Sequence, residues 1–249
     1  MTVSAPRAKL SVNVNKVATL RNSRGGTIPS VVDATRVCIA AGAPGITVHP
    51  RADARHITFI DVREIHEELR GHDGRIELNI EGDPRPDLLD LATEVRPDQF
   101  TLVPVRPGEI TSQAGWDPKT PIADVRDVVR RLQASGIRVS VFVDPDEDAV
   151  RWTAGLGGDR IELYTEPYAK AFARGEGRQS FERYSRMATL AHELGLGVNA
   201  GHDLDLDNLT LFRDLPHLDE ASIGHALISH ALYVGLDRAV RDYIAALAG

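Results

Sequence analysis

Short runs rich in valine, isoleucine and leucine recur eight times along this chain, separated by longer segments of helical periodicity. That alternation is the signature of βαβ units feeding a parallel sheet, and it limits the fold more than any other feature. The runs are Leu10–Val14, Gly45–Val48, Arg75–Ile80, Gln99–Leu102, Arg138–Val143, Arg160–Tyr164, Gly197–Ala200 and Glu220–Ile223. Between them Val31–Ala41, Ile60–Leu69, Asp87–Val95, Val125–Ala134, Asp146–Leu156, Phe181–Leu194 and a short piece near Leu206–Phe212 read as helices, and Ala226–Ala248 as the last. Gly42, Gly136 and Gly195 stand where helices should stop before strands, since glycine takes the left-handed cap without a Cβ clash.

Eight strands exceed what an open doubly wound sheet usually holds, the G-x-G-x-x-G fingerprint is absent, and no proline- or serine-rich linker divides the chain. The expectation is a single α/β domain over residues 1–249, a (β/α)8 TIM barrel, a fold of about 250 residues. Two strand-to-helix segments are long, Pro104–Ile122 and Thr165–Ser180. Each reads either as a lid or binding loop or as a surface insertion.

Lysine and arginine number 29 against 36 aspartates and glutamates, a net charge of −7, which disfavours nonspecific attraction to nucleic acid or anionic membrane. An anionic ligand must then be held by local groups. The only cysteine, Cys38, lies in an apolar stretch and reads as core, leaving neither a disulfide framework nor a thiolate metal cluster within one chain. Met1 to Lys9 holds no apolar signal region and no run approaches the ~20 apolar residues of a membrane span, so a cytoplasmic, soluble protein is expected.

Barrel chemistry sits at the C-terminal ends of the strands, and those positions here are polar: Asn13, Asn15 and Lys16 after the first run, His49 and Arg51 after the second, Glu81 after the third, Glu162 within the sixth, Asn199 and His202 at the seventh, Gly224 and His225 at the eighth. His66, His72, His192, His217 and His230 fall on helices or helix-side turns and read as structural. His49, His202 and His225 instead reach one rim from three strands. The alternation Glu77-Leu78-Asn79-Ile80-Glu81 puts residues 77, 79 and 81 on one side of their strand. Glu162, between Ile161 and Leu163, should point into the barrel, where burial raises a carboxyl pKa. Either glutamate suits general acid–base work. Gly224-His225 runs from strand into helix and offers backbone N–H groups to a phosphate. Cationic clusters at residues 16–24 and at Arg51, Arg55 and His56 suggest two anionic groups. These features alone point to a metal-free enzyme acting on phosphorylated small molecules and leave the reaction open.

The same residues carry a resemblance. Val12-Asn13-Val14-Asn15-Lys16-Val17-Ala18-Thr19-Leu20-Arg21-Asn22-Ser23-Arg24-Gly25, Gly45-Ile46-Thr47-Val48-His49-Pro50-Arg51 with Arg55-His56-Ile57, Asn79-Ile80-Glu81-Gly82, Val198-Asn199-Ala200-Gly201-His202 and Ile223-Gly224-His225-Ala226 occur in order. From Leu10 to the last helix the chain resembles the pyridoxine 5'-phosphate synthase family. The resemblance implies condensation of 1-deoxy-D-xylulose 5-phosphate with 3-amino-2-oxopropyl phosphate into pyridoxine 5'-phosphate, with release of inorganic phosphate and water, no cofactor, and assembly as a homo-octamer. It also implies His49 and Glu81 as proton acceptors, His202 as a proton donor and Glu162 as a group stabilising a transition state. Asn13, Arg24, Asp203, Gly224 and His225 would hold the aminoketone phosphate, and Asn15, Lys16, Arg51, His56 and Thr111 the deoxyxylulose phosphate. Asn15-Lys16 stands where some members have Asp-His, and Asp203 where some have glycine.

Two other classes compete. A metal-dependent barrel hydrolase would use His49, His202, His225, Glu81 and Glu162 as ligands, but such barrels commonly carry His-x-His where this chain has Asn13-Val14-Asn15. A non-catalytic phosphometabolite-binding barrel would not require the set His49, Glu81 and His202.

Overall fold

All eight apolar runs become strands. The computed structural model describes residues 8–72, 76–104 and 112–249. In it β1 (Lys9–Asn13), β2 (Gly45–Val48), β3 (Glu77–Gly82), β4 (Gln99–Leu102), β5 (Arg138–Val143), β6 (Arg160–Tyr164), β7 (Gly197–Gly201) and β8 (Leu218–Ile223) pair in that order, all parallel, and β8 returns to β1 to close a barrel. The helices are α1 (Asn15–Asn22), α2 (Val31–Ala40), α3 (Phe59–Arg70), α4 (Pro86–Val95), α5 (Ile122–Ala134), α6 (Glu147–Leu156), α7 (Glu166–Ala173), α8 (Gly177–Glu193), α9 (Leu209–Phe212), α10 (His225–Val234) and α11 (Leu236–Ala248). Among the described residues no helix is long and apolar enough to cross a membrane.

Period-two alternation divides the strands sharply. Leu10, Val12, Ile46, Val48, Leu78, Ile80, Val139, Val141, Ile161 and Leu163 join the helices in the main apolar core, along with Cys38, which is fully buried as expected. Burying each large side chain there contributes about 1.5–3 kcal/mol. The alternate positions, among them Ser11, Thr47, Asn79, Gln99, Thr101, Glu162, Asn199 and Glu220, fill the barrel with polar groups that bond one another. Ser11 and Thr47 hydroxyls meet at 2.6 Å, and the Thr101 hydroxyl donates to Asn79 at 3.1 Å.

A repeated device opens alternate strands. Asp98, Asp159 and Asp219 accept the backbone N–H groups of Leu78, Val139 and Val198 at 2.8, 2.7 and 2.9 Å. At the third of these the register between β7 and β8 slips by one residue, and the carboxylate satisfies an amide that the ladder leaves open.

Three elements depart from the sequence expectation. Residues 15–22, which include part of the cationic cluster and fall outside the helices expected from the sequence, form α1, whose Val17 and Ala18 pack inward. The segment Thr165–Ser180, read as a long connection, is largely helical: α7 occupies half of it, started by Pro167 in its first turn and held by buried Tyr168 and Ala171, and α8 begins within it at Gly177. The last helix is two, because Gly235, at φ 86° and ψ 151°, ends α10 and starts α11, a backbone conformation that favours glycine. Smaller shifts move β3 to end at Gly82, so Glu81 lies inside the strand.

Candidate active site

Strand order brings the motif segments together. β1, β2 and β3 are neighbours, β1 also adjoins β8, and β6, β7 and β8 run in sequence, so every segment after these strands faces one mouth. There a cavity of about 430 Å³ is lined by Asn13, Asn15, Lys16, His49, Arg51, His56, Glu81, Glu162, His202, Asp203, Gly224 and His225, within the ~300–1,000 Å³ of small-molecule sites. Arg24 does not line it. Its residue sits in the exposed turn after α1, and the helix carries it roughly 12 Å along its axis from the end of β1. Thr111 lies outside the described residues, although Ser112 lines the cavity. Sequence reading passed over Ser112, Thr19, Val103, Phe142 and Ser222. The last two were findable, since alternation along β5 and β8 points both inward.

Asn13 and Asn15 organise the rim. The Asn13 side-chain oxygen accepts the Asn15 N–H at 3.0 Å, and the Asn15 oxygen in turn accepts the His49 N–H at 2.9 Å. Gly224 is a glycine for cause here, because a Cβ on it would stand 3.0 Å from the Asn13 Cβ. The loop after β2 is tied to α1: Asn22 donates to the His56 carbonyl at 2.8 Å, and Arg21 donates to the same oxygen and forms a two-pronged pair with Asp61. Arg21 belonged to the cationic cluster read from the sequence, and Asp61 takes it as a structural residue.

Two carboxyls and one histidine of the set, Glu81, Glu162 and His49, are buried. The His49 Nδ1 stands 3.8 Å from a Glu81 oxygen, and its Nε2 is buried with no hydrogen-bond partner among the described residues. Burial, then the nearby charges of His56, Arg51, Arg85 and His202, holds the imidazole well below its ordinary pKa, so it is neutral and able to accept a proton. Glu81 takes long hydrogen bonds from Asn13 at 3.5 Å and Ser222 at 3.4 Å. The carboxyl of Glu162, 2% exposed, lies 3.4 Å from the Thr101 hydroxyl, whose proton goes to the nearer Asn79. Burial pushes Glu81 up to about 8 and, with the charges of Glu81 and Glu220, drives Glu162 well above the carboxylate range. Weak polar partners cannot compensate the desolvation of a charge. Gly201 lies against this pair, and a side chain there would push the Glu162 carboxyl out of its position.

His56 accepts the N–H of Ile57 at its Nδ1, at 3.0 Å, which fixes the proton of the neutral ring on Nε2. Burial, then Arg51 and Lys16, lowers its pKa to about 4. The His202 ring packs between Phe142, 5.1 Å away, and the edge of Tyr164, 5.3 Å away. Burial lowers its pKa against the opposing charges of Asp203 and Glu166. His202 and Asp203 both have positive φ, 79° and 59°, a conformation costing non-glycine residues on the order of 1 kcal/mol each. Lys16, Asp203 and His225 line the cavity with exposed side chains. Among the described residues no three His, Cys, Asp or Glu side chains group as a metal site, so the five ligands named for a hydrolase do not form a ligand set.

The family model described as "Pyridoxal phosphate biosynthesis protein PdxJ" matches residues 10–249. The chain is 49% identical over 237 residues to a pyridoxine 5'-phosphate synthase of Christiangramia forsetii, covering 95% of this chain and 98% of that one. It is 50% identical over 236 residues to one of Bacteroides fragilis, covering 94% and 97%. Among solved structures, 3-keto-L-gulonate-6-phosphate decarboxylase from Vibrio cholerae superposes with a TM-score of 0.64 at 12% identity over 97% of this chain and 98% of that one. Thiamine phosphate pyrophosphorylase from Pyrococcus furiosus gives 0.62 at 13% over 96% and 95%. These two show likeness of fold alone.

Proposed function

The chain belongs to the PdxJ family of pyridoxal phosphate biosynthesis proteins, and from that premise we infer that it condenses 1-deoxy-D-xylulose 5-phosphate with 3-amino-2-oxopropyl phosphate to pyridoxine 5'-phosphate, phosphate and water. The observation that carries the reading is the group His49, Glu81 and Glu162: three buried ionisable side chains lining one cavity, none hydrogen-bonded to a cation among the described residues, with Lys16 and Arg51 on the same walls.

The chemistry requires repeated proton movement. An amine attacking a ketone must shed protons as the carbonyl oxygen leaves as water, and loss of phosphate and closure of the ring require further transfers. Neutral His49, 3.8 Å from Glu81, is the acceptor at nitrogen, and Glu81, with a pKa near 8, can release and regain a proton near neutral pH. Glu162, held protonated by burial, donates a hydrogen bond to oxygen where negative charge develops. His202 delivers the proton to the departing oxygen. The phosphates of the two substrates bring negative charge to the cavity, which raises the pKa of His202 toward its working range.

One phosphate docks at the N-terminus of α10, where Gly224 and His225 lie beside Asn13, in the place where many barrels bind phosphate. The second meets Lys16, Arg51 and the Nε2–H of His56. Asp203 contributes through its backbone N–H. Arg24, distant within one chain, joins the site only by way of a neighbouring copy or a movement of its turn. Octameric assembly belongs to the same proposal and is supported by the apolar side chains on α10, where Leu232 and Tyr233 are 73% and 88% exposed. A cytoplasmic location goes with the pathway.

Incubation of the pure protein with both substrates and no added cofactor should yield pyridoxine 5'-phosphate by absorbance and mass. Binding of either substrate without product would favour a phosphometabolite-binding barrel, and binding of neither would overturn the proposal.

A further inference from the structure

The turn His202–Asp203 poses a structural problem. Two consecutive non-glycine residues adopt positive φ at the mouth of the cavity, a conformation that histidine and aspartate enter more readily than most residues but still at a cost, so two in succession call for outside support. The support comes from two buried residues outside the cavity lining, Thr165 and Asn208, whose exposures are 0% and 2%.

Thr165 is the first residue after β6. Its N–H donates to the Gly201 carbonyl at 2.9 Å, the last rung between β6 and β7, and its hydroxyl lies 2.6 Å from the same oxygen while also reaching the His202 carbonyl. One side chain thus spans the peptide that enters the turn and the peptide inside it. Asn208 fixes the next residue, its carboxamide N–H donating to the Asp203 carbonyl at 3.0 Å. Asn208 is itself locked: its side-chain oxygen accepts the Asp205 N–H at 3.0 Å, its own N–H donates to the Asp205 carboxylate at 2.8 Å, and its carbonyl accepts the Tyr168 hydroxyl at 2.8 Å. The residue before Thr165 acts on the same histidine from the other side, since the Tyr164 ring edge and the Phe142 ring enclose the imidazole.

We propose that Thr165 and Asn208 are positioning residues for the condensation, a two-point clamp that holds the His202–Asp203 turn left-handed and so fixes the His202 imidazole in the cavity. The proposal rests on the reading of His202 as the proton donor. Donor geometry matters because proton delivery falls steeply with small displacements of the ring. A hydroxyl is needed at position 165 because valine has the same shape and keeps the N–H bond to the Gly201 carbonyl but leaves the His202 carbonyl without its donor.

The test is a double-mutant cycle on steady-state kinetics. Thr165→Val should lower kcat roughly ten- to hundredfold with KM changed by less than about threefold, and Thr165→Ser, which keeps the hydroxyl, should restore most of the rate. In a His202→Asn background Thr165→Val should add less than about a twofold further loss, because a clamp has no effect once the ring it holds is gone. Asn208→Ala run through the same cycle gives an independent arm if Thr165→Val does not fold. Equal losses in both backgrounds, or a serine variant as impaired as valine, would show a merely structural residue and overturn the clamp. A His202→Asn protein with unchanged kcat overturns the donor reading itself, and that failure is visible in the single variant.

Discussion

Two rings of ionisable side chains occupy opposite ends of the same barrel, and they are built on opposite terms. At the N-terminal end Glu77 pairs with Lys9 at 2.6 Å and with Arg138 at 2.5 Å. Around it Arg138 donates to Gln99, Arg160 to Asn199, and both Gln99 and Asn199 to Glu220. At the C-terminal end Glu81 and Glu162 are more deeply buried than Glu77, and among the described residues a hydroxyl and a carboxamide are all that donate to Glu81, while Glu162 has only the Thr101 hydroxyl beside it. The titration follows the partners. Burial pushes Glu77 up and the hydrogen bonds from Lys9 and Arg138 more than reverse it, so it stays below the ordinary value. Glu220, which burial raises against the pull of Arg160, reaches about 6, and Glu81 reaches about 8. One barrel thus holds a compensated ring that supports the fold and, facing the cavity, a second ring whose buried carboxyls meet no cation among the described residues.

The comparison breaks most visibly in activity. Glu81→Gln keeps shape and removes the exchangeable proton, so kcat should fall by about a hundredfold or more while the melting temperature holds or rises, because a costly buried carboxyl has gone. A variant that loses stability in step with activity would place Glu81 in the supporting ring. The opposite substitution, Arg138→Met, strands Glu77 with only Lys9. It should cost about 2 kcal/mol in denaturant unfolding, below the ~3–5 kcal/mol of a fully buried pair because both side chains are partly solvated, with kcat of the folded fraction unchanged. A fall in kcat at unchanged stability would erase the distinction between the rings.

The smallest effect sharpens the comparison through pH. A carboxyl whose folded pKa lies near 8 and whose unfolded pKa is near 4.5 binds its proton more tightly in the native state. Native stability should therefore decline as pH rises between those values, by at most about 1.4 kcal/mol per pH unit per group, and level off above. Glu77 works in the other direction: its stabilisation is present above the unfolded pKa and is lost as pH falls through the lowered folded value. Unfolding measured from pH 5 to 9 should show the alkaline decline in the parent and a shallower one in Glu81→Gln. Identical slopes would mean that Glu81 is ionised in the folded chain.

The strands were legible because their evidence is local. Four of the eight, β2, β4, β5 and β6, match their expected bounds, and the inward turn of Glu81 and Glu162 follows from alternation alone. Charge in the sequence did not separate residues at the cavity from those that hold the fold. Lys16, Arg21 and Arg24 look like one anion-binding cluster in the sequence, but α1 separates them: Lys16 reaches the cavity, Arg21 pairs with Asp61 from the neighbouring α3, and Arg24 ends in solvent. Polarity also hid α7, because Glu166, Lys170 and Arg174 outweigh the buried pair Tyr168 and Ala171.

By itself the sequence determined the eight-fold alternation, the polar strand ends and the motifs that carry the family, since each depends on the order and period of neighbouring residues. Only the tertiary structure decided which carboxylates meet a cation, which arginine reaches the cavity, and what holds His202 in a left-handed turn. Those outcomes depend on residues dozens of positions apart being brought within hydrogen-bond distance, and on burial, which sets how much an unpartnered charge costs.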